Sequence, residues 1–259
     1  MDRIILPGDT DVVIASFGGV GTTFLLKYLA QYKKTNHRFD ADRIKHSPLP
    51  PISFNSNIKF VYVFGSPQLA TVSLFQRNFQ CRQSKKLQKW SKRTFSPIPE
   101  SMTLQEYASQ GIDRFCFRNH FYNWYEEYLS VHPTMFVRYE TIYDNLKSLQ
   151  DFLNLPQGFL DRFPKKRSRT ATLEKISPEI REQLDRLYGD FSNELARLSD
   201  VEIRARSNRK MFMMTYLKNP YLKALAGQCL SESKIRLKEY IPPIYSTLKR
   251  IKHSTNRLP

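Results

Sequence analysis

The sequence predicts an α/β fold with a central parallel sheet flanked by helices. The first observation is a short β-branched run at residues 11–16, which leads through Gly18, Gly19 and Gly21 into an apolar stretch with helical spacing. The second is that residues 59–64 repeat this order, because a hydrophobic run precedes a Gly-Ser-Pro turn and another helical stretch. Two strand–turn–helix units in succession indicate parallel strands, and ligands of such sheets bind beyond the strands' carboxyl ends.

The next elements follow from turns and spacing along the chain. Pro67 is expected at the first position of the second helix, where its fixed φ fits and its missing N–H leaves no bond unmade. Helical spacing over residues 103–129 breaks near Gly111, which predicts two shorter helices. Residues 134–138 predict a third strand, followed by a helix that ends near Pro156.

Capping residues and charge define the rest of the chain. Ser177 and Pro178 are expected to cap and begin a longer helix with one apolar face. Residues 79–99 carry six basic residues and no acidic one, which predicts an exposed excursion able to cap a substrate pocket. We divide the chain into an α/β domain at 1–206 and a basic, mainly helical extension at 207–259, packed on or beside it. Two interpretations of this extension remain open: its helices pack on the main domain, or it binds an anionic surface or a partner.

Composition limits the ligand and the compartment. The 259 residues include 41 Lys and Arg against 24 Asp and Glu, a formal charge of +17 that attracts anions. This charge also fits nucleic acid or an anionic membrane, so it does not separate an enzyme from a binding module. Three cysteines without a CxxC pair suggest neither a disulfide framework nor a zinc site. Because the first ten residues lack the apolar run of a signal peptide or membrane span, we predict a cytoplasmic protein.

The strongest chemical signal is the segment from Ser16 to Phe24, which reads Ser-Phe-Gly-Gly-Val-Gly-Thr-Thr-Phe. A glycine-rich turn at a helix N-terminus presents several backbone N–H groups and the positive end of the helix dipole to an anion. Thr22 and Thr23 add two hydroxyl donors. Aligned with the nucleotide P-loop, Gly21 and Thr23 match but Thr22 takes the place of the lysine, which argues against an ordinary ATP or GTP site.

This loop resembles the P-K-S-G-T-T-W loop of sulfotransferases, which holds the 5'-phosphosulfate of 3'-phosphoadenosine 5'-phosphosulfate (PAPS). Gly21, Thr22 and Thr23 match it directly, and Phe24 keeps an aromatic face where the family has a tryptophan near the adenine. The first half departs from it, because glycines replace the proline and the lysine that stabilises charge on the leaving phosphate. The resemblance implies that PAPS contacts the whole loop, namely Gly18, Gly19, Val20, Gly21, Thr22, Thr23 and Phe24.

A second segment, residues 60–73, resembles the strand and helix of this family that end in D-V-A-V-S. Ser73 matches the serine that binds the 3'-phosphate of the cofactor. The family's arginine for that phosphate falls at Gly65, and Arg77, one turn after Ser73, is the candidate to compensate. Taken alone, Ser73 is an ordinary helix-surface residue, and its register with the glycine loop is what favours the binding role.

A third segment, residues 137–140, resembles the R-Y-E-D strand end of the family. The resemblance implies that Tyr139 lies near the adenine, with packing against the core as the alternative. Further along, Lys165, Lys166 and Arg167 stand where the family has a basic loop on the 3'-phosphate, and a solvated run of charge is the alternative there.

The catalytic candidates come from residues 45–50, Lys-His-Ser-Pro-Leu-Pro, which resemble the K-T-H-L-P segment that carries the family's general base. The resemblance implies that His46 takes the proton of the acceptor hydroxyl. It also implies that Lys45 neutralises the departing phosphate or the sulfuryl oxygens, partly replacing the lysine missing at Gly19. Without the resemblance, His46 is a surface residue of a Pro-rich loop, and His120 is the reserve candidate.

The implied reaction moves a sulfuryl group from PAPS to a hydroxyl or amine of a small-molecule acceptor and releases adenosine 3',5'-bisphosphate (PAP), without a metal. The chain most resembles bacterial members, cyanobacterial ones included, which implies a natural product such as an alkaloid toxin as the acceptor and no nucleic-acid partner. A small-molecule P-loop kinase is the first alternative and predicts binding of ATP with Mg²⁺. The second is a non-catalytic module on a degenerate sulfotransferase fold, which the loss of basic residues at Gly19 and Gly65 favours.

Overall fold

The computed structural model describes residues 4–91, 95–166 and 171–206 of the chain. Arg167 and the extension predicted at 207–259 lie outside these residues, so the division into two domains stays a prediction. Within the described ranges, no helix is both long enough and apolar enough to cross a membrane.

A four-stranded sheet organises the fold. Strands β1 (Val12–Ala15), β2 (Lys59–Phe64) and β3 (Thr134–Arg138) are parallel neighbours in chain order. Strand β4 (Val201–Arg204) pairs antiparallel with β3 at the end of the sheet. The three parallel strands are buried almost throughout, as expected of strands covered by helices. The prediction of an α/β fold with a central parallel sheet is therefore confirmed, and β4 is an antiparallel addition that the sequence analysis missed.

Helices connect these strands and cover the sheet. A π-helical turn at Asn123–Glu127 continues directly from the α-helix Phe117–Tyr122, and 3₁₀ turns lie at Gln88–Trp90 and Leu173–Lys175. The α-helices of the described residues are α1 (Thr22–Leu29), α2 (Pro67–Gln76), α3 (Gln80–Leu87), α4 (Leu104–Ser109), α5 (Phe117–Tyr122), α6 (Leu146–Leu153), α7 (Phe159–Arg162) and α8 (Pro178–Ala196).

Two helices begin at the residues that the sequence predicts. Pro67 is the first residue of α2, and the hydroxyl of Ser66 before it accepts the N–H of Leu69 at 3.2 Å. The hydroxyl of Ser177 accepts the N–H of Ile180 at 3.3 Å at the start of α8. Each hydroxyl satisfies one of the first-turn donors that have no partner within the helix. The capping residues therefore fix where these two helices start.

The segment 79–99 is not the exposed excursion that its charge predicts. It contains α3, whose Gln83, Ser84 and Leu87 are buried. The hydroxyl of Ser84 accepts the N–H of Ile98 at 2.9 Å, which holds the second half of the segment against the first. For the described residues the prediction failed because a count of charges ignores their spacing: the buried residues of α3 recur at helical intervals, and Arg82 and Lys85 are exposed on its other face.

Asp113 organises the N-terminus of α5. Its Oδ1 accepts the N–H groups of Phe115 at 3.1 Å and Cys116 at 3.0 Å, and its Oδ2 accepts that of Phe117 at 2.9 Å. The hydroxyl of Tyr188 in α8 also donates to Oδ1, at 3.0 Å. Burial nevertheless raises the pKa of Asp113 to about 6, against the lowering effect of these bonds. The Asp113 side chain thus links α5 to α8, and its ionisation costs folding free energy.

A pH dependence of stability follows from Asp113. Its pKa of about 6 in the folded protein exceeds that of an unfolded aspartate, about 3.9. The stability it contributes is therefore complete below about pH 4 and is lost as the pH rises through 6. We expect the difference in free energy of unfolding between the wild type and Asp113→Asn to fall by about 1 kcal/mol from pH 5 to pH 7. Urea unfolding at both pH values measures it, and a constant difference contradicts the prediction.

Candidate functional site

The loop between β1 and α1 lines a cavity of about 430 Å³. Gly18, Gly19 and Gly21 in this loop have positive φ angles of 97, 74 and 70°, a conformation that side chains other than glycine rarely adopt. Gly21 is also the N-cap of α1. Because Gly21 has no side chain to accept the first-turn N–H groups, the start of α1 has no side-chain cap and is open to an acceptor such as water or an anion.

Most of the site residues predicted from the sequence lie around this one cavity. They come from the glycine loop, from residues 45–46, from α2 and from the end of β3, which are far apart in the chain. The predicted residues that line it are Gly18, Gly19, Val20, Gly21, Thr22, Thr23, Phe24, Lys45, His46, Ser73, Arg77 and Tyr139.

The two threonines of the loop have different surroundings. Thr22 is buried, and its hydroxyl lies 2.6 Å from that of Ser16, which also accepts the N–H of Gly18 at 3.0 Å. Thr23 is exposed, and its hydroxyl accepts a hydrogen bond from Lys45 Nζ at 3.1 Å. Thr22 therefore shapes the loop from inside, while Thr23 presents its hydroxyl where a ligand can reach it.

Lys45 is a buried cation at the wall of the cavity. Only 7% of the residue is exposed, and its Nζ donates to the carbonyl oxygen of Arg38 at 2.8 Å as well as to Thr23. Burial lowers the pKa of Lys45, and the nearby carboxylate of Asp40 opposes that change. The two hydrogen bonds fix the ammonium group beside the N-terminus of α1.

His46 is held through one of its two ring nitrogens. Its Nδ1 lies 2.9 Å from the carbonyl oxygen of Ser16. Because a carbonyl oxygen only accepts, Nδ1 of the neutral ring carries the proton, and Nε2 keeps its lone pair. Burial lowers the pKa of His46 to about 3, so the imidazole is uncharged at neutral pH. The hydrogen bond leaves Nε2 as the atom that can accept a proton, although a ring with so low a pKa is a weaker base than an ordinary histidine.

The π-helical turn after α5 holds the chain next to His46. Trp124 Nε1 donates to the carbonyl oxygen of Ser47 at 2.8 Å, and Asn123 Nδ2 donates to that of Pro48 at 3.2 Å. Both donor residues are buried. π-helical turns widen a helix by one residue and are frequent near functional sites. Here the turn presents two side-chain donors that anchor the segment carrying the predicted base.

The residues predicted at the nucleotide end of the site, Ser73, Arg77 and Tyr139, line the same cavity. Arg77 Nε donates to the carbonyl oxygen of Ser73 at 2.9 Å, and its guanidinium lies 5.2 Å from the ring centroid of Phe79. The ring of Tyr139 packs against the α-carbon of Gly21 so closely that a methyl group there would overlap it. Tyr139 therefore packs against the loop and also lines the cavity, so its contact with the adenine stays a prediction.

The other predicted residues lie farther from the cavity. Lys165 and Lys166 do not line it, but both contact Tyr143, which does: the Tyr143 hydroxyl donates to the Lys165 carbonyl oxygen at 3.4 Å, and Lys166 Nζ lies 6.0 Å from the ring centroid. Arg167 lies outside the described residues. The reserve candidate His120 is 1% exposed and its Nδ1 lies 2.8 Å from the hydroxyl of Tyr62, away from the cavity lining.

Gln83 is a site residue that the sequence analysis missed. It lines the cavity from α3, and its Nε2 donates to the carbonyl oxygen of Phe17 at 2.9 Å. A Cβ added to Gly18 would lie 2.7 Å from the same nitrogen, so α3 packs directly on the glycine loop. No motif marks this glutamine, and the only available signal was its helical spacing with other buried residues.

Comparison with known proteins finds similarity in solved structures but not in sequence. No protein family matches the chain, and no curated protein matches its sequence. A solved structure of a mouse sulfotransferase, SULT7A1 in complex with PAP, aligns with 76% of this chain and 91% of its own chain, at 13% identity and a TM-score of 0.42. A likeness at this level establishes neither a family nor an activity, so the function has to be argued from the cavity itself.

Proposed function

We propose that the protein is a sulfotransferase that moves a sulfuryl group from PAPS to a hydroxyl or amine of a small-molecule acceptor. The observation that carries the proposal is the meeting of the glycine loop, Thr23, Lys45 and His46 at one cavity. The loop and the lysine suit an anionic donor, and the neutral imidazole suits removal of a proton from an acceptor.

The residues present fit a phosphosulfate group. Three positive-φ glycines and the uncapped start of α1 form a cradle of backbone donors without side chains. Lys45 and Arg77 add positive charge to the lining of the cavity. Its volume of about 430 Å³ falls within the range of roughly 300–1,000 Å³ typical of small-molecule sites.

Each group that lines the cavity has a role in the proposed reaction. The loop N–H groups, the Thr23 hydroxyl and the Lys45 ammonium bind the phosphosulfate oxygens and offset charge that develops on the departing phosphate. His46 Nε2 accepts the proton as the acceptor oxygen forms its bond to sulfur and the bond from sulfur to the phosphate oxygen breaks. The products are a sulfated acceptor and PAP. Alignment of these groups supplies most of the rate, as in phosphoryl transfer.

The finer parts of the proposal rest on the sequence analysis alone. They are a hydroxylated natural product such as an alkaloid toxin as the acceptor, a cytoplasmic location, and the absence of nucleic-acid partners and of a required metal. Among the described residues, no three His, Cys, Asp or Glu side chains are grouped closely enough to hold a metal ion.

The binding of PAP tests the proposal. We expect calorimetry to give micromolar affinity for the wild type, weakened by about 10- to 100-fold in Thr23→Ala, because a hydrogen bond to a charged group is lost. Thr23→Ser is the matched control, since it keeps the hydroxyl and is expected to retain most of the affinity. Because the Thr23 hydroxyl also accepts from the buried Lys45, Thr23→Ala is expected to lower the thermal stability, whereas Thr23→Ser keeps this bond and the wild-type stability.

ATP with Mg²⁺ distinguishes the alternatives in the same experiment. Tight binding of ATP with Mg²⁺ and weak binding of PAP support a small-molecule kinase. Binding of neither ligand supports a non-catalytic module, in which the glycines at positions 19 and 65 have removed the function of the site. Either result contradicts the proposed sulfotransferase activity.

A further inference from the structure

A buried carboxylate lies behind the predicted catalytic lysine. Asp40 is 5% exposed and has a φ of 62°, in the left-handed region. Its Oδ2 forms an ion pair with Nζ of Lys86 on α3, and its Oδ1 has no hydrogen-bond partner among the described residues. A left-handed backbone and an unsatisfied buried oxygen both cost folding free energy, so this arrangement needs an explanation.

The charges around Lys45 come from three parts of the fold. Asp40 belongs to the same loop, Arg77 follows the C-terminus of α2, and Arg82 and Lys86 lie on α3. All four act electrostatically on Lys45, and Asp40 is the one that favours its charged form. Asp40 also raises the pKa of His46, the next residue, and Lys86 also lowers it. Lys45 therefore sits between one anion and several cations, in a place that burial already makes unfavourable for charge.

We propose that Asp40 is a positioning residue for the sulfuryl transfer, and that its carboxylate keeps the Lys45 ammonium charged beside the phosphosulfate end of the cavity. The proposal rests on the proposed function for the identity of the ligand. The carboxylate does not line the cavity, so it acts through Lys45. Lys86 weakens the effect of the Asp40 carboxylate on Lys45, because it forms an ion pair with that carboxylate.

A pH dependence follows from this arrangement. Burial is the largest cause that lowers the pKa of Lys45; Lys86, Arg77 and Arg82 lower it further, and Asp40 raises it. Lys45 is charged below its pKa, and an anionic ligand favours the charged form. The affinity for PAP should therefore fall as the pH rises through the pKa of Lys45 in the free protein. Loss of Asp40 moves that fall to lower pH.

Two variants separate this role from a structural one. Asp40→Asn and Lys86→Gln break the same ion pair, but they change the charge near Lys45 in opposite directions. We expect the fall in PAP affinity to move to lower pH in Asp40→Asn and to higher pH in Lys86→Gln. If Asp40 only ties the loop to α3, both variants weaken binding alike at every pH, which overturns the proposal.

A third variant protects the test against misfolding. Arg82→Gln removes an exposed cation and leaves the ion pair between Asp40 and Lys86 intact. We expect it to move the fall in PAP affinity to higher pH by less than Lys86→Gln does. A shift to lower pH, or none, overturns the proposal even if both buried-pair variants unfold.

A ligand-free measurement keeps the two proposals distinguishable. NMR titration of the apo protein labelled with [6-¹³C]lysine follows the Lys45 signal, which is assigned by its loss in Lys45→Gln. Opposite shifts of its titration in Asp40→Asn and Lys86→Gln support the role of Asp40, even if PAP does not bind and the proposed function fails. PAP binding with an unchanged Lys45 titration leaves the sulfotransferase proposal standing and overturns this one.

Discussion

Replacing His46 by alanine is expected to slow sulfuryl transfer by about 100- to 10,000-fold, the usual contribution of a general base, while PAP affinity changes by less than about twofold. The structural reason is that His46 Nδ1 is fixed by the Ser16 carbonyl oxygen at 2.9 Å, which leaves Nε2 as the proton acceptor. The phosphosulfate contacts belong to other residues, so binding should survive. Transfer of ³⁵S from labelled PAPS to an acceptor found by screening, under single-turnover conditions, measures the rate.

His46→Asn is the matched control for this experiment. Its amide nitrogen is placed to donate to the Ser16 carbonyl oxygen much as Nδ1 does, but it has no basic lone pair. We expect His46→Asn to lose as much rate as His46→Ala while keeping the thermal stability of the wild type. A fast His46→Asn variant means that the hydrogen bond to the loop matters and that the proton leaves by another route.

The pH dependence of the same rate tests the state of the imidazole. The pKa of His46 is lowered to about 3 by burial, so the base stays unprotonated well below neutral pH. We therefore expect kcat/KM to stay level between pH 7 and 5, since it reports the free enzyme. A fall with an apparent pKa near the ordinary histidine value of about 6.5 contradicts the buried environment of the ring.

The parts of the fold that local sequence determines were predictable. Strands β2 and β3 have the predicted bounds because each is a continuous hydrophobic run between turn residues, which is how a strand buried on both faces reads. Strand β4 was missed because its four residues, Val-Glu-Ile-Arg, alternate over too short a length to stand out, and none of them is fully buried. Because β4 lies at the edge of the sheet, it pairs with one strand only, β3.

The same distinction applies to the site. The glycine loop and His46 were found because each lies in a short motif whose residues act together along the chain. Gln83 and Asp40 reach the site only through packing: Gln83 bonds to Phe17, 66 positions earlier, and Asp40 pairs with a lysine on α3. No local pattern identifies such contacts, because they depend on how helices settle on the loop after the sheet has formed.

Restoring the lysine of the sulfotransferase loop by Gly19→Lys is expected to destabilise the protein and abolish PAP binding. Position 19 has a φ of 74°, and a Cβ there would lie 2.7 Å from the α-carbon and 2.8 Å from the carbonyl oxygen of Ala70 in α2. The backbone conformation costs about 1–2 kcal/mol, and the overlap with a helix backbone costs about 1–3 kcal/mol more. We expect a loss of about 2–5 kcal/mol in the free energy of unfolding, measured in urea.

Two other glycines show why position 19 differs. Gly189 lies within α8 with nothing near its virtual Cβ, so Gly189→Lys is expected to stabilise the helix by about 0.5–1 kcal/mol. At Gly65, where sulfotransferases have an arginine, the three atoms nearest to a Cβ belong to the carboxyl group of Glu140, the nearest at 2.7 Å, and this side-chain end can move more easily than a helix backbone. Gly65→Arg should therefore cost less than about 1 kcal/mol, since the guanidinium can pair with that carboxylate.

These comparisons separate two reasons for a missing basic residue. If Gly19→Lys unfolds easily while Gly65→Arg folds well, the glycine at 19 is required by the contact between the loop and α2, and Lys45 remains as a basic residue that lines the same cavity. If Gly19→Lys instead folds as well as Gly189→Lys and binds PAP more tightly, the loop is free to move from α2. In that case the lysine is absent for a reason other than space, and the charge at Lys45 is not its replacement.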